Sequence, residues 1–331
     1  MKKDQRPKNH HYVPKCYLKN FSADGKVSVL DVSKVINGIP HYVKALSPKA
    51  ICTFEDYYKI PPTASDPSNI YFQLNSLDEL FVESTVLHNL EDKYGKILYP
   101  SLISKTEIAM QEAIDISDFI IQLKLRNPYW FEQQQKKKDE MIDKTINNIY
   151  QDNFVLNPRF AHIPTAIKEI VADHVKQGAI NNPNFSKMMQ LFSLINRASS
   201  EEKRNQEIRQ SIIDCEWKLL TAPKSGPKFI TSDNPGFAIG NDNLIYNTKF
   251  TEGFRFYFPV SPKHCLVISD ANLDFSFSKG QTEKFIKHLN IDDKMALHIN
   301  DGAIQNINKL LIASDDWYLK QIRDLNTPSR K

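Results

Sequence analysis

The chain has 331 residues, 41% hydrophobic and 25% charged, with a formal net charge of +4. That is ordinary globular composition with enough apolar mass for a real core, and a charge too small to demand nucleic acid, though nothing in it forbids a local basic patch. No apolar run approaches the roughly 18 residues of a membrane helix, the start MKKDQRPKNHHYVPK lacks the apolar stretch of a signal peptide, and neither GxGxxG nor GxxxxGKS/T occurs, which disfavours ordinary dinucleotide and P-loop sites.

Basic residues 1–9 read as a frayed end. Pro14–Phe21 forms a short helix with Tyr17, Leu18 and Phe21 as apolar contacts, Lys26–Val32 and Ile51–Ile60 read as strands, and Pro61–Ser68 reads as a loop. From Ser76 to about residue 213 the pattern is helical: Leu77–Leu98, Ile116–Arg126, Tyr129–Tyr150, Thr165–Gln177 and Phe185–Ile213. The run Gln133–Glu140 reads as a solvated helix face rather than a binding stripe. The period then changes to that of strands at Glu216–Thr221, Lys228–Thr231, Phe254–Val260 and Cys265–Ser269, the last two joined as a hairpin through Ser261–His264. Helices near Gln281–Leu289 and Asp292–Leu319 close the chain. The expectation is one α+β domain over 1–331. It has an N-terminal segment with strands (1–75), a helical lobe (76–213), and a mainly antiparallel sheet with C-terminal helices (214–331) that the early strands join.

Four cysteines, Cys16, Cys52, Cys215 and Cys265, form no CxxC pair. This argues against a zinc ribbon and reads as reduced thiols in a cytoplasm.

Candidate functional residues are polar groups in apolar positions. Helices bury residues three or four apart. Glu91 falls on the stripe Leu77, Phe81 (or Leu80), Leu87, Tyr94, Leu98; Arg126 continues Ile116, Phe119, Ile120, Leu123; and Asn300 lies on Leu297, Ile304, Ile307, Leu311, Ser314. A buried charge is costly unless paired, so Glu91 and Arg126 are expected to satisfy each other, or to be aimed together at a pocket. Two local motifs add to them. His10, His11, Tyr12 and Lys15 gather polar-tipped rings and an amine before the first helix, where histidine can act as acid, base or ligand. Thr231-Ser232-Asp233-Asn234-Pro235-Gly236 ends a strand, a place that suits both an Asx turn and a site. Asp233 is expected to meet His11.

The pattern His-His-Tyr-Val-Pro-x-x-Tyr-Leu-x-x-Phe, followed by Phe54–Tyr58, Glu91, Phe119 to Arg126-Asn127-Pro128, Phe229 to Pro235, Phe258 to Pro262, and Asn300 ahead of Ala313, resembles domain-of-unknown-function family 4238 across most of the chain. Asn127 departs from it, standing where a threonine is expected. The resemblance implies no activity, but it implies that His11, Asp233 and Asn234 are more than tail and turn.

Two functions follow. In the first, the chain is a phosphodiester-cleaving, nuclease-like hydrolase. His10 or His11 is general acid/base, Glu91 and Asp233 hold a divalent metal or orient the histidine, and Arg126 or Lys15 offsets phosphate charge. Asn234 joins the catalytic set, and Tyr12, Lys15 and Asn300 contact substrate. In the second, the chain is a non-catalytic protein- or nucleic-acid-binding protein and the same cluster is a structural network. A pocket lined by His11, Glu91, Arg126 and Asp233 favours the first; the same groups sealed and mutually bonded favour the second.

Overall fold

Period-two burial builds the strands of this chain and period-four burial its helices, in a computed structural model that describes residues 8–36, 39–40, 43–60, 78–181, 184–198, 203–248, 253–270 and 282–325. The segment 61–68, expected as a loop, lies outside the described residues, as do residues 1–7. Strands are β1 Asn9–His11, β2 Val27–Asp31, β3 Val35–Ile36, β4 Ile39–Pro40, β5 Lys44–Leu46, β6 Thr53–Glu55, β7 Glu107–Ala109, β8 Glu216–Thr221, β9 Thr231–Ser232, β10 Phe237–Ile239, β11 Ile245–Tyr246, β12 Arg255–Pro259, β13 His264–Ser269, β14 Glu283–Asn290 and β15 Leu310–Ala313. They form a seven-stranded sheet in the order β11-β10-β12-β13-β8-β14-β7, a four-stranded sheet β5-β2-β15-β9, and the pairs β1-β6 and β3-β4. The fold is α+β: among the described residues every strand pair is antiparallel except β14 with β8.

The chain clusters into two units. One comprises residues 1–59, 80–127 and 194–331; the other comprises 60–79 and 128–193. The helical stretch 76–213 is thus shared between them. In the second unit the helices Lys138–Ile149 and Thr165–Asn181 are linked by a Lys176–Asp143 ion pair at 2.5 Å. Ile142 and Ile146 are buried there, while Gln135, Lys136 and Lys137 are exposed, as a solvated face requires.

In the first unit the early strand does join the C-terminal half, because β2 pairs with β15 from Leu310↔Asp31 to Ala313↔Ser28. The β12–β13 hairpin closes through Ser261–His264, with the Val260 N–H donating to the His264 carbonyl at 2.9 Å. Phe254, Phe256 and Phe258 all face the core, and Tyr257 is buried on the opposite side while Arg255 is exposed.

Three expectations are corrected. Gln281–Leu289 is not a helix: its described residues form β14, with Lys284 and Ile286 inward and Phe285 outward. The pattern hid because its first inward residue is a lysine, whose ammonium donates to the Ile213 and Cys215 carbonyls at 2.6 and 2.5 Å. Asp292–Leu319 is not one helix but helix Asp293–Gln305, strand β15 and helix Trp317–Leu325. Leu297, placed on its buried stripe, is 39% exposed. The expected Leu77–Leu98 helix alternates π turns (Val82–Leu87, Tyr94–Leu98) with the α turn His88–Lys93 and runs on through Tyr99–Ser104.

Candidate active site

The N-terminal segment is anchored by its apolar side chains. Tyr12, Val13, Tyr17, Leu18 and Phe21 are buried, the Tyr17 hydroxyl donates to the Pro259 carbonyl at 2.6 Å, and β1 pairs with β6 in the register His10↔Phe54, His11↔Thr53. Its two histidines have different surroundings. His10 is fully buried; its Nδ1 accepts the Tyr58 backbone N–H at 2.9 Å, and its ring stacks on Tyr58 with the planes 4° apart. His11 is half-buried and hydrogen-bonded to Pro48, with Glu91, Arg126 and Lys15 as its charged neighbours.

The tautomer of His11 follows from its partner. Proline has no backbone N–H, so the Pro48 group is its carbonyl and the imidazole must donate. Nε2 is buried and has no hydrogen-bond partner among the described residues, so Nδ1 is the donor. Burial lowers the His11 pKa, and Arg126 and Lys15 lower it further, against the pull of Glu91 and the Pro48 hydrogen bond. The ring is therefore held toward its neutral form, and with Nδ1 left for Pro48 the lone pair falls on Nε2, the form a general base needs.

Glu91 and Arg126 do meet. Stacking of Tyr94 on Phe119, centroids 3.8 Å apart, packs their two helical segments, and Arg126 donates to Glu91 at 2.7 Å. Both were expected to be largely buried; Arg126 is 2% exposed and Glu91 24%, so the pair meets solvent on its acidic side. The second acid of the cluster is Glu83, which sequence reasoning missed. Burial, reinforced by the charge of Glu91 and opposed by Arg126, pushes its carboxyl up to about 7. Glu83 Oε2 and Arg126 Nε are, like His11 Nε2, buried with no hydrogen-bond partner among the described residues. The signal was available: Glu83, Leu87 and Glu91 are spaced four apart, so the stripe that selects Glu91 selects Glu83 as well.

Asp233 belongs elsewhere. Its carboxylate accepts the N–H groups of Asn308 at 3.0 Å and Lys309 at 2.8 Å, shaping the turn that leads into β15. Burial pushes it up to about 6 against those backbone donors. The interactions of His11 run to Pro48, Glu91, Arg126 and Lys15, and none among the described residues runs to Asp233, so the expected His11–Asp233 pairing is not formed.

The neighbours of Asp233 continue the same closed pattern. The Asn127 amide donates to the Asp233 carbonyl at 2.7 Å, and Asn234 receives Lys124 Nζ on Oδ1 at 3.2 Å while giving Nδ2 to the Asn306 carbonyl at 2.9 Å. Lys124 also donates to Gly236 and Asn247, and its burial lowers its pKa strongly. Asn300 is fully buried and bridges two backbone groups, accepting from Ile230 at 3.1 Å and donating to Lys228 at 2.9 Å. Tyr12 is 6% exposed and packs against Phe54; burial and nearby Cys52 and Asp233 raise its pKa, so the phenol stays protonated.

Glu91 and Asp233 are each committed to separate partners. Among the described residues no group of three His, Cys, Asp or Glu side chains is arranged to hold a metal. Cys16, which shares the charges of Glu91 and Arg126, is disfavoured as a nucleophile, because burial and the charge of Glu91 push its thiol up to about 12.

A family model described as "Protein of unknown function (DUF4238)" matches residues 9–316. The chain belongs to this family. No curated protein and no solved structure matches it. The DUF4238 match begins at β1, so it takes in His11 together with Glu83, Glu91 and Arg126. Among the described residues no helix is long and apolar enough to cross a membrane.

Proposed function

We propose that this DUF4238 chain is an acid–base hydrolase acting on phosphodiesters, with His11 as general base and Glu83 as general acid. The observation that carries the reading is the pairing of complementary protonation states. A neutral imidazole with a bare Nε2 stands in one cluster with a carboxyl raised to about 7, in the company of a buried arginine. Two titratable groups whose environments push them toward opposite roles are what acid–base catalysis requires. Nε2 of His11 takes the proton of an attacking water, the water oxygen bonds to phosphorus, the bond to the leaving oxygen breaks, and Glu83 gives that oxygen its proton. Solvent then returns His11 and Glu83 to their starting states. Glu91 holds Arg126 in place, and with Glu83 protonated the cluster of His11, Glu83, Glu91, Arg126 and Lys15 is net positive, as suits an anionic diester.

The test is the pH profile for hydrolysis of bis(p-nitrophenyl) phosphate. A base below 6.5 and an acid near 7 make a narrow bell, falling on the acid side as His11 is protonated and on the alkaline side as Glu83 ionises. Glu83→Gln should slow the reaction by about 100-fold and abolish the alkaline limb. Absence of hydrolysis across pH 5–9, or a profile that Glu83→Gln leaves unchanged, overturns the assignment.

A further inference from the structure

Beside the His11 cluster, in the same unit, lies a cavity of about 520 Å³. Its wall is the segment that positions His11. The Pro48 carbonyl holds the imidazole, Ala50 to Phe54 line the cavity, and Tyr12, the residue after His11, lines it too, with its N–H on the Cys52 carbonyl at 3.0 Å. Cys52 adopts φ +54°, a left-handed conformation unusual for a non-glycine residue. The backbone is strained at this point of the cavity wall.

The lining has two chemistries. One is aromatic: Phe54, 42% exposed, stacks on Tyr12 with centroids 5.1 Å apart and meets Tyr57 at 5.3 Å, so a part-exposed ring rests on two further rings. The other is cationic. Lys34, Lys44 and Lys309 line the groove against the single carboxylate Asp31, which Lys34 neutralises at 3.3 Å. Lys44 and Lys309 are exposed and have no carboxylate partner among the described residues. Lys309 is held from the backbone, since its N–H donates to the buried Asp233 carboxylate. A part-exposed aromatic ring with flanking ammonium groups matches the chemistry of unpaired bases on a phosphate chain, where stacking tolerates any base and lysines follow the backbone.

We propose that this groove binds single-stranded nucleic acid, with a base on Phe54 and phosphates at Lys44 and Lys309, next to the chain segment that carries His11. The inference rests on the phosphodiesterase reading and narrows its substrate to a nucleic acid strand.

The experiment is fluorescence anisotropy with a labelled single-stranded 12-mer of mixed sequence, in a His11→Ala background so that turnover does not consume the probe. Phe54→Ala should weaken binding on the order of tenfold. Lys44→Ala and Lys309→Ala should each weaken it and make the slope of log K against log salt shallower by about 0.7. All three side chains are at the surface, and melting curves confirm that each variant is folded. Absence of binding, binding that Phe54→Ala leaves unchanged, or equal affinity for the duplex of the same sequence overturns the inference. Displacement by heparin without any effect of Phe54→Ala means charge alone is read, and overturns it too. Failure here is separate from failure of the hydrolase reading, which is judged on bis(p-nitrophenyl) phosphate with the wild-type chain.

Discussion

The polar residues around Asp233 and those around His11 are alike in type but opposite in condition. In the first group nearly every hydrogen-bonding valence is filled from within: Asp233 by two backbone N–H groups, Asn234 by Lys124 and Asn306, and Asn300 by both ends of a peptide segment. In the second, three buried polar atoms on His11, Glu83 and Arg126 have no partner among the described residues, and the nearby acid Glu91 reaches solvent. A filled network is a rigid fastening, because a buried polar group that has its partners costs little and one that loses them costs much. A cluster with unfilled valences holds back stability, and that is the usual condition of groups kept available for a ligand or a reaction. Burial alone would have ranked Asp233 as the better catalytic candidate; counting its hydrogen bonds reverses the order.

The contrast breaks most easily on two substitutions. Asp233→Ala removes a charged acceptor from two buried N–H groups and should lower the unfolding free energy by about 4 kcal/mol in a urea titration. His11→Ala should leave melting within about 3 °C of wild type while reducing diester hydrolysis roughly 1000-fold, about 4 kcal/mol of barrier. If His11→Ala unfolds as readily as Asp233→Ala, both regions are structural and no functional distinction between them survives.

Arg126→Ala sits between the two, since Arg126 belongs to the reactive cluster yet is itself buried. It should cost about 3 kcal/mol, at the lower end for a broken buried pair, because the stranded Glu91 already touches water. A loss under about 1 kcal/mol, typical of surface pairs, would move the cluster to the protein surface.

The smallest effect is the most diagnostic. The Glu83 carboxyl is raised in the folded chain, so its contribution to stability is complete below the unfolded value near 4.5 and is lost as pH rises through about 7. Glu83→Gln carries no such loss. Relative to wild type it should be more stable by about 2 kcal/mol at pH 8, allowing for partial solvent screening, with the difference vanishing by pH 4.5. Parallel stability curves for the two proteins across that range would mean that Glu83 is hydrated in the folded state.

Much of the chain was legible from periodicity. The stripe of Leu87, Glu91, Tyr94 and Leu98 and that of Ile116 to Arg126 correctly implied that a carboxylate and a guanidinium would face each other, since helical spacing determines which side is buried and a buried charge needs its opposite. The alternation of Phe254 to Phe258 and the Ser261–His264 turn likewise specified a hairpin, and the apolar residues after His11 specified a docked segment. These are local properties, and local spacing carries them.

Only the tertiary structure could decide the rest. Whether Asp233 faces His11 or the turn at Asn308 depends on strand order, which puts β15 beside β9 and brings two backbone N–H groups within reach of the carboxylate. That β14 is a strand rests on its pairing with β8 and on two carbonyls that receive the buried Lys284. That Nε2 of His11 is the bare nitrogen rests on a carbonyl 37 residues further along the chain, at Pro48. A sequence displays which groups must be buried or paired, because burial follows spacing. It does not display which partner each will find, because hydrogen bonds act over about 3 Å and are made only once the fold has brought distant segments together.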